Sequence, residues 1–161
     1  MIEDNHINKI IDSAVREVLR NKMTLKLAAA LIEKVESEAT RMGVSVAIAV
    51  SDASARPVAI HCMDGSYIGS FDIALNKTFT SAGFKMPTKK LGELSQPGGP
   101  LYGIQHTNNG KVVIFGGGEP LIVNGTIIGA IGVSGGTVEE DTALAVYGSS
   151  IIEGVLSWMK N

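Results

Sequence analysis

The residues of this chain best suited to chemistry are a glycine-rich turn and three histidines. Ser134, Gly135, Gly136 and Thr137 follow a β-branched run and precede Val138-Glu139-Glu140, a helix start. Consecutive backbone N–H groups at such a turn, beside the positive end of a helix dipole, suit a carboxylate or phosphate. The same glycines also suit a tight strand-to-helix turn with Thr137 as its cap, and Glu139 and Glu140 already complement the dipole. Of the histidines, His106 lies in a Pro/Gly-rich segment, QPGGPLYGIQHTNNG, with Tyr102 four residues before it. A loop of that kind can close over a ligand. His61 precedes Cys62 and Met63, and strand alternation puts His61 and Met63 on one face with Cys62 on the other. His6 lies near the N-terminus on an amphipathic stretch. Each histidine is a nominal iron ligand: His106 is the first choice, with His61 and His6 as alternatives. Met86 and Thr88, just before the loop, are weaker candidates.

Other chemistries are disfavoured. Gly116-Gly117-Gly118 lacks the Lys-Ser/Thr ending of a phosphate loop, and GAIGVSGG is not a dinucleotide fingerprint. There is no G-x-S-x-G elbow and no HExxH. Asp52 and Asp64 read as turn residues, and Asp141 as a complement to the helix dipole. The single cysteine, Cys62, excludes an intrachain disulfide. A net charge of −2 without a basic run argues against nucleic acid or an anionic membrane surface as partner. The N-terminal residues do not resemble a secretory signal, and no apolar run is long enough to span a bilayer, so a cytoplasmic protein is expected.

The elements that must position these residues follow from periodicity. With 161 residues, the chain fits one domain, divided into an N-terminal helix (residues 1–22) and a core (residues 24–161). Apolar residues from Ile7 to Leu19 recur at helical spacing, and Thr24 opens a second helix that Gly43 stops. VSVAIAVS (Val44–Ser51) and Val58–Met63 form a hairpin, and a third helix runs from a Ser66 cap to about Ala82. After the loop, strands are expected at Lys111–Phe115, Glu119–Val123 and Thr126–Ser134, with Asn124-Gly125 turning the last pair. Thr137 to Trp158 forms the last helix, opened by a capping box; its stripe of Ala143, Val146, Tyr147, Ile151, Val155 and Trp158, widened by Ile152 and Leu156, predicts burial on two sides, by a subunit interface or a thick core. Of the 19 glycines, 14 lie between Gly83 and Gly136, marking unusual backbone geometry there. The fold class is α/β of the α+β type: a five-stranded, mostly antiparallel sheet flanked by helices.

The hairpin VAIAVSD…PVAIHCMDG and the segment GGGEPLIVNGTIIGAIGVSGGTVEEDTALA resemble the two signatures of the GlcG/HbpS-like family. The stretch KMPTKKLGELSQPGGPLYGIQHTNNGKVVIFGGG is similar to the C-terminal domain of PduO-type proteins. The resemblance runs from about Thr24 to the C-terminus. It implies a profilin-like sandwich, assembly into dimers up to octamers, and haem b as cofactor, with a role in cofactor or redox handling more than catalysis. For PduO-type relatives it also implies a setting in diol-degrading microcompartments. The haem-contacting residues differ between members, so the resemblance does not fix an axial ligand. The cofactor-binding candidates remain His106 with Tyr102 in the loop, and Ser134, Gly135, Gly136 and Thr137, where a propionate would fit. The alternatives are an enzyme or accessory taking a small organic acid or corrinoid-related ligand at the backbone anion site, and a ligand-free assembly partner.

Overall fold

The computed structural model describes residues 7–14 and 22–159. Helix α1 (Leu25–Met42) starts where Thr24 Oγ1 accepts from the Leu27 N–H at 3.2 Å, and ends at Gly43, whose φ of 75° only glycine adopts without strain. Its buried face is Leu27, Ala28, Leu31, Ile32, Val35 and Ala39. Strands β1 (Ala47–Asp52) and β2 (Pro57–Cys62) pair antiparallel across the Asp52–Arg56 turn. Helix α2 (Ser70–Phe84) and the short α3 (Thr88–Leu94) follow, then β3 (Gly118–Val123), β4 (Thr126–Ser134) and α4 (Val138–Trp158). Residues 7–14 are helical and exposed throughout, and belong to neither core cluster. The rest of the N-terminal helix expected from sequence lies outside the described residues.

The sheet is antiparallel with strand order β2-β1-β4-β3, so among the described residues it has four strands where five were expected. The expected strand at Lys111–Phe115 is an irregular segment laid against helices. Its Val113 N–H donates to Thr80 Oγ1 at 2.9 Å, and the Ile114 carbonyl occupies the space that a side chain at Gly92 would need. Val112 and Val113 are buried by this packing, so their apolar, β-branched character marks burial but supplies no sheet partner. Two boundaries also differ. α2 begins at Ser70, not after Ser66, and passes through Gly83 to end before Lys85, which takes the left-handed conformation.

The two faces of the sheet carry different cores. Ile48, Val50, Leu121, Ile131 and Val133 join the apolar faces of α1 and α4 in the main cluster. The opposite face is built of small residues, Ala47 and Ala49 clustering with Ala74 of α2. A Cβ at Gly132 would sit on the Ala74 carbonyl oxygen, so α2 meets the sheet backbone to backbone. Much of the glycine excess therefore serves packing. In α4 the buried stripe is Leu144, Ala145, Gly148, Ile152, Val155 and Leu156, while Val146 and Trp158 are exposed. Ile152, Val155 and Leu156 of the expected stripe are buried, and Tyr147 and Ile151 pack against the core. Val146 and Trp158 are not covered, because in so apolar a helix only the position of the sheet selects the buried face.

Candidate functional site

The turn after β4 is closed by its own side chains. Gly136 N–H donates to Asp141 Oδ1 at 2.9 Å, and Thr137 N–H to Glu140 Oε2 at 2.8 Å. Thr137 Oγ1 in return accepts from the Glu140 N–H, completing the capping box expected from sequence. Ser134 is buried, with its hydroxyl 3.3 Å from that of Ser70. Gly135, at φ 145°, lies against the Ser45 carbonyl and Val46. While these bonds hold, the N–H groups of Gly136 and Thr137 are not available to an outside anion. A cleft of about 460 Å³ does open beside the turn, lined by Ser45, Tyr67, Gly135, Thr137 and Glu140 among others.

Asp141 is more than a complement to the helix dipole. Its second oxygen lies 2.9 Å from Nζ of Lys77, which also donates to the Val133 carbonyl at 2.6 Å and lies over the Phe115 ring. Both side chains are buried. Burial pushes the Lys77 amine below its ordinary pKa, against the opposing pull of Asp141. Sequence reading passed over Lys77; a lone cation amid the small residues of ALNKTFTSA was the available signal.

The loop from Gln96 to Gly110 forms two 3-10 turns, Ile104–His106 and Asn108–Gly110. Tyr102 and His106 are exposed, and between them Gln105 carries a buried Oε1 with no hydrogen-bond partner among the described residues. The loop is tied to α3 through Leu101 N–H on the Leu94 carbonyl, and its end to α2 at Thr80. The Ser134–Thr137 turn is tied to α2 at Ser70. The turn is also tied to α2 at Lys77 through Asp141, within about 5 Å of the Thr80 anchor along the helix at 1.5 Å per residue. Within one chain, therefore, the end of the loop and the glycine turn both fasten to α2. Thr88 is buried and holds the Gly118 N–H at 2.9 Å, a structural task, and Met86 is half-buried.

His61 stands apart from both. It lies on the edge strand β2, and its Nδ1 is 2.9 Å from Glu36 Oε1 on α1, with both side chains partly exposed. A carboxylate only accepts, so Nδ1 is the nitrogen that carries the proton, and in the neutral ring Nε2 keeps its lone pair. Met63 packs at the rim of the main core, while Cys62 is exposed. Residues 36 and 61 are too far apart in sequence for spacing to reveal this pair. His6 lies outside the described residues. Among the described residues no group of three His, Cys, Asp or Glu side chains is placed to hold a metal ion, and no helix is long and apolar enough to cross a membrane.

These features define a small α+β protein whose antiparallel sheet is sandwiched by helices, with one carboxylate-held imidazole on its edge strand. The chain belongs to the HbpS-like family, described as haem-degrading proteins, whose pattern matches residues 23–150. It is 43% identical over 123 residues to a 15.0 kDa protein from the dhaT-dhaS intergenic region of Citrobacter freundii, covering 76% of this chain and 87% of the relative. It is also 36% identical over 107 residues to the corrinoid adenosyltransferase PduO of Salmonella typhimurium; that match covers 66% of this chain and only 32% of the enzyme. Among solved structures, that of a PduOC–heme complex superposes with a TM-score of 0.76 at 31% identity, covering 80% of this chain and 94% of the other.

Proposed function

We propose that this chain binds haem b and acts as an accessory in cofactor or redox handling, as a homo-oligomer linked to a diol-degrading microcompartment. The observation that carries the reading is the His61 imidazole, whose Nδ1 is occupied by Glu36 and whose Nε2 is left as a lone-pair donor. Haem iron takes an axial imidazole, and a carboxylate on the second ring nitrogen is the usual support of a metal-bound histidine. The donor chemistry at His61 therefore fits the group. His106, with Tyr102 nearby, is the second candidate; it is accessible, but no carboxylate among the described residues orients its ring. When bound, haem would supply redox and oxygen chemistry at its iron. The chain's own part is to present the imidazole, fix its tautomer and provide apolar surface at Met63.

Support also comes from the family description and from the heme-bound structure of a similar protein. Propionate capture by Ser134 to Thr137 is not part of the reading, since Gly136 and Thr137 already donate to Asp141 and Glu140. The small-acid alternative loses its main donors for the same reason.

Titration of the purified chain with haemin tests the proposal. A saturable Soret shift is expected, lost or altered in His61→Ala and retained in His106→Ala and His6→Ala. Loss in His106→Ala alone would move the ligand to the loop. Absence of saturable binding would remove the haem reading.

A further inference from the structure

Resting on the haem reading above, we infer that Glu36 is a positioning residue for His61: it fixes the ring's tautomer and strengthens Nε2 as an electron donor to iron. As a stabilising contact the pair is weak. Its two side chains are 39% and 29% exposed, and solvent screening leaves a partly exposed ion pair little net strength. The contact instead selects one of two ring nitrogens. Glu36 sits on α1, a helix capped at both ends, at the border of its buried face between Ile32 and Ala39, so the carboxylate approaches from a fixed frame. His61 sits on β2 in register with Ile48, a fully buried residue, so the ring is fixed from the other side. The hydrogen bond between them at 2.9 Å leaves Nε2 with no partner among the described residues. An anionic acceptor on Nδ1 draws its proton outward and leaves more electron density on Nε2. Loss of the charge should therefore weaken ferric haem binding and favour the reduced iron.

The test uses the full chain in three forms: wild type, Glu36→Gln and Glu36→Ala. First, ring nitrogen NMR of haem-free protein, with imidazole neutral, reports the tautomer directly. Wild type and Glu36→Gln are expected to hold the proton on Nδ1, since both side chains offer an oxygen acceptor. Glu36→Ala is expected to shift toward a mixture. Unchanged ring shifts in Glu36→Ala would overturn the inference without any haem being involved. Second, haemin affinity and reduction potential are measured on the loaded forms. Glu36→Ala is expected to bind haemin about 10- to 100-fold more weakly, and Glu36→Gln to have a higher potential than wild type. Equal affinity and potential in all three forms would overturn the tuning role. If His61→Ala binds haemin as wild type does, the ligand reading of the preceding section fails; the ring shifts alone then decide whether Glu36 orients His61.

Discussion

Nζ of Lys77 lies 2.9 Å from Oδ2 of Asp141, across 64 residues of sequence, and both side chains are buried. The pair ties α2 to the first turn of α4. Through Asp141 Oδ1 it also holds the Gly136 N–H, and through Lys77 the Val133 carbonyl. The glycine-rich turn is shaped by an internal ion pair. A buried pair adds little over a well-packed apolar replacement, but removing one partner strands the other charge.

Lys77→Met should cost about 3–5 kcal/mol by leaving Asp141 without its cation. Adding Asp141→Asn should recover part of the loss, because the stranded charge is then gone and neighbouring sites are not additive. Denaturant midpoints of both single variants and the double variant check this. Strict additivity would show that the two residues act independently.

Two glycines should respond in opposite directions. Gly132→Ala would drive a Cβ into the Ala74 carbonyl and Thr78 N–H of α2, backbone atoms that cannot step aside, so a loss of at least about 1–3 kcal/mol is expected. Gly83→Ala, inside α2 with open space around it, should instead stabilise by about 0.4–1 kcal/mol. Thermal melting of the two variants gives the comparison directly.

Thr80→Val should loosen the segment after the loop. It removes the acceptor of the buried Val113 N–H, at a cost of about 1–3 kcal/mol for an unsatisfied donor. Hydrogen exchange at the Val113 amide is expected to speed up while the β1 and β4 amides remain protected. Unchanged exchange at Val113 would mean that Thr80 does not hold the segment.

Glu119 supplies a pH dependence. Burial without a compensating charge pushes its carboxyl up to about 7, from an ordinary value of 4.5. Between those values the folded chain holds a proton that the unfolded chain releases. Stability should therefore fall as pH rises through that window, and its contribution is fully present only below 4.5. Melting temperatures of wild type and Glu119→Gln over this range test the sign: the variant should show the flatter profile.

Local chemistry made several features readable from sequence. Thr24 and Gly43 bracket α1 because a hydroxyl cap and a left-handed glycine act within a few residues of themselves. Asn124-Gly125 turns β3 into β4, and Thr137 with Glu140 builds the capping box, for the same reason. The family signatures were legible too, since they are runs of contiguous residues. What exceeded local reach was misread or missed. Lys111–Phe115 has strand-like residues, yet the Thr80 hydroxyl on α2 takes its Val113 N–H, so no sheet forms there. The fifth strand was lost to that contact.

The candidate site divides in the same way. Residue type alone nominated His6, His61, His106 and the Ser134–Thr137 turn, because imidazoles and clustered N–H groups carry their chemistry wherever they lie. Availability was decided only by the tertiary structure. Asp141 and Glu140 fill the turn, and Glu36 holds His61 from another element. Hydrogen-bond partners and buried charges are set by which elements fold against each other, and a linear sequence records the partners without recording the pairing.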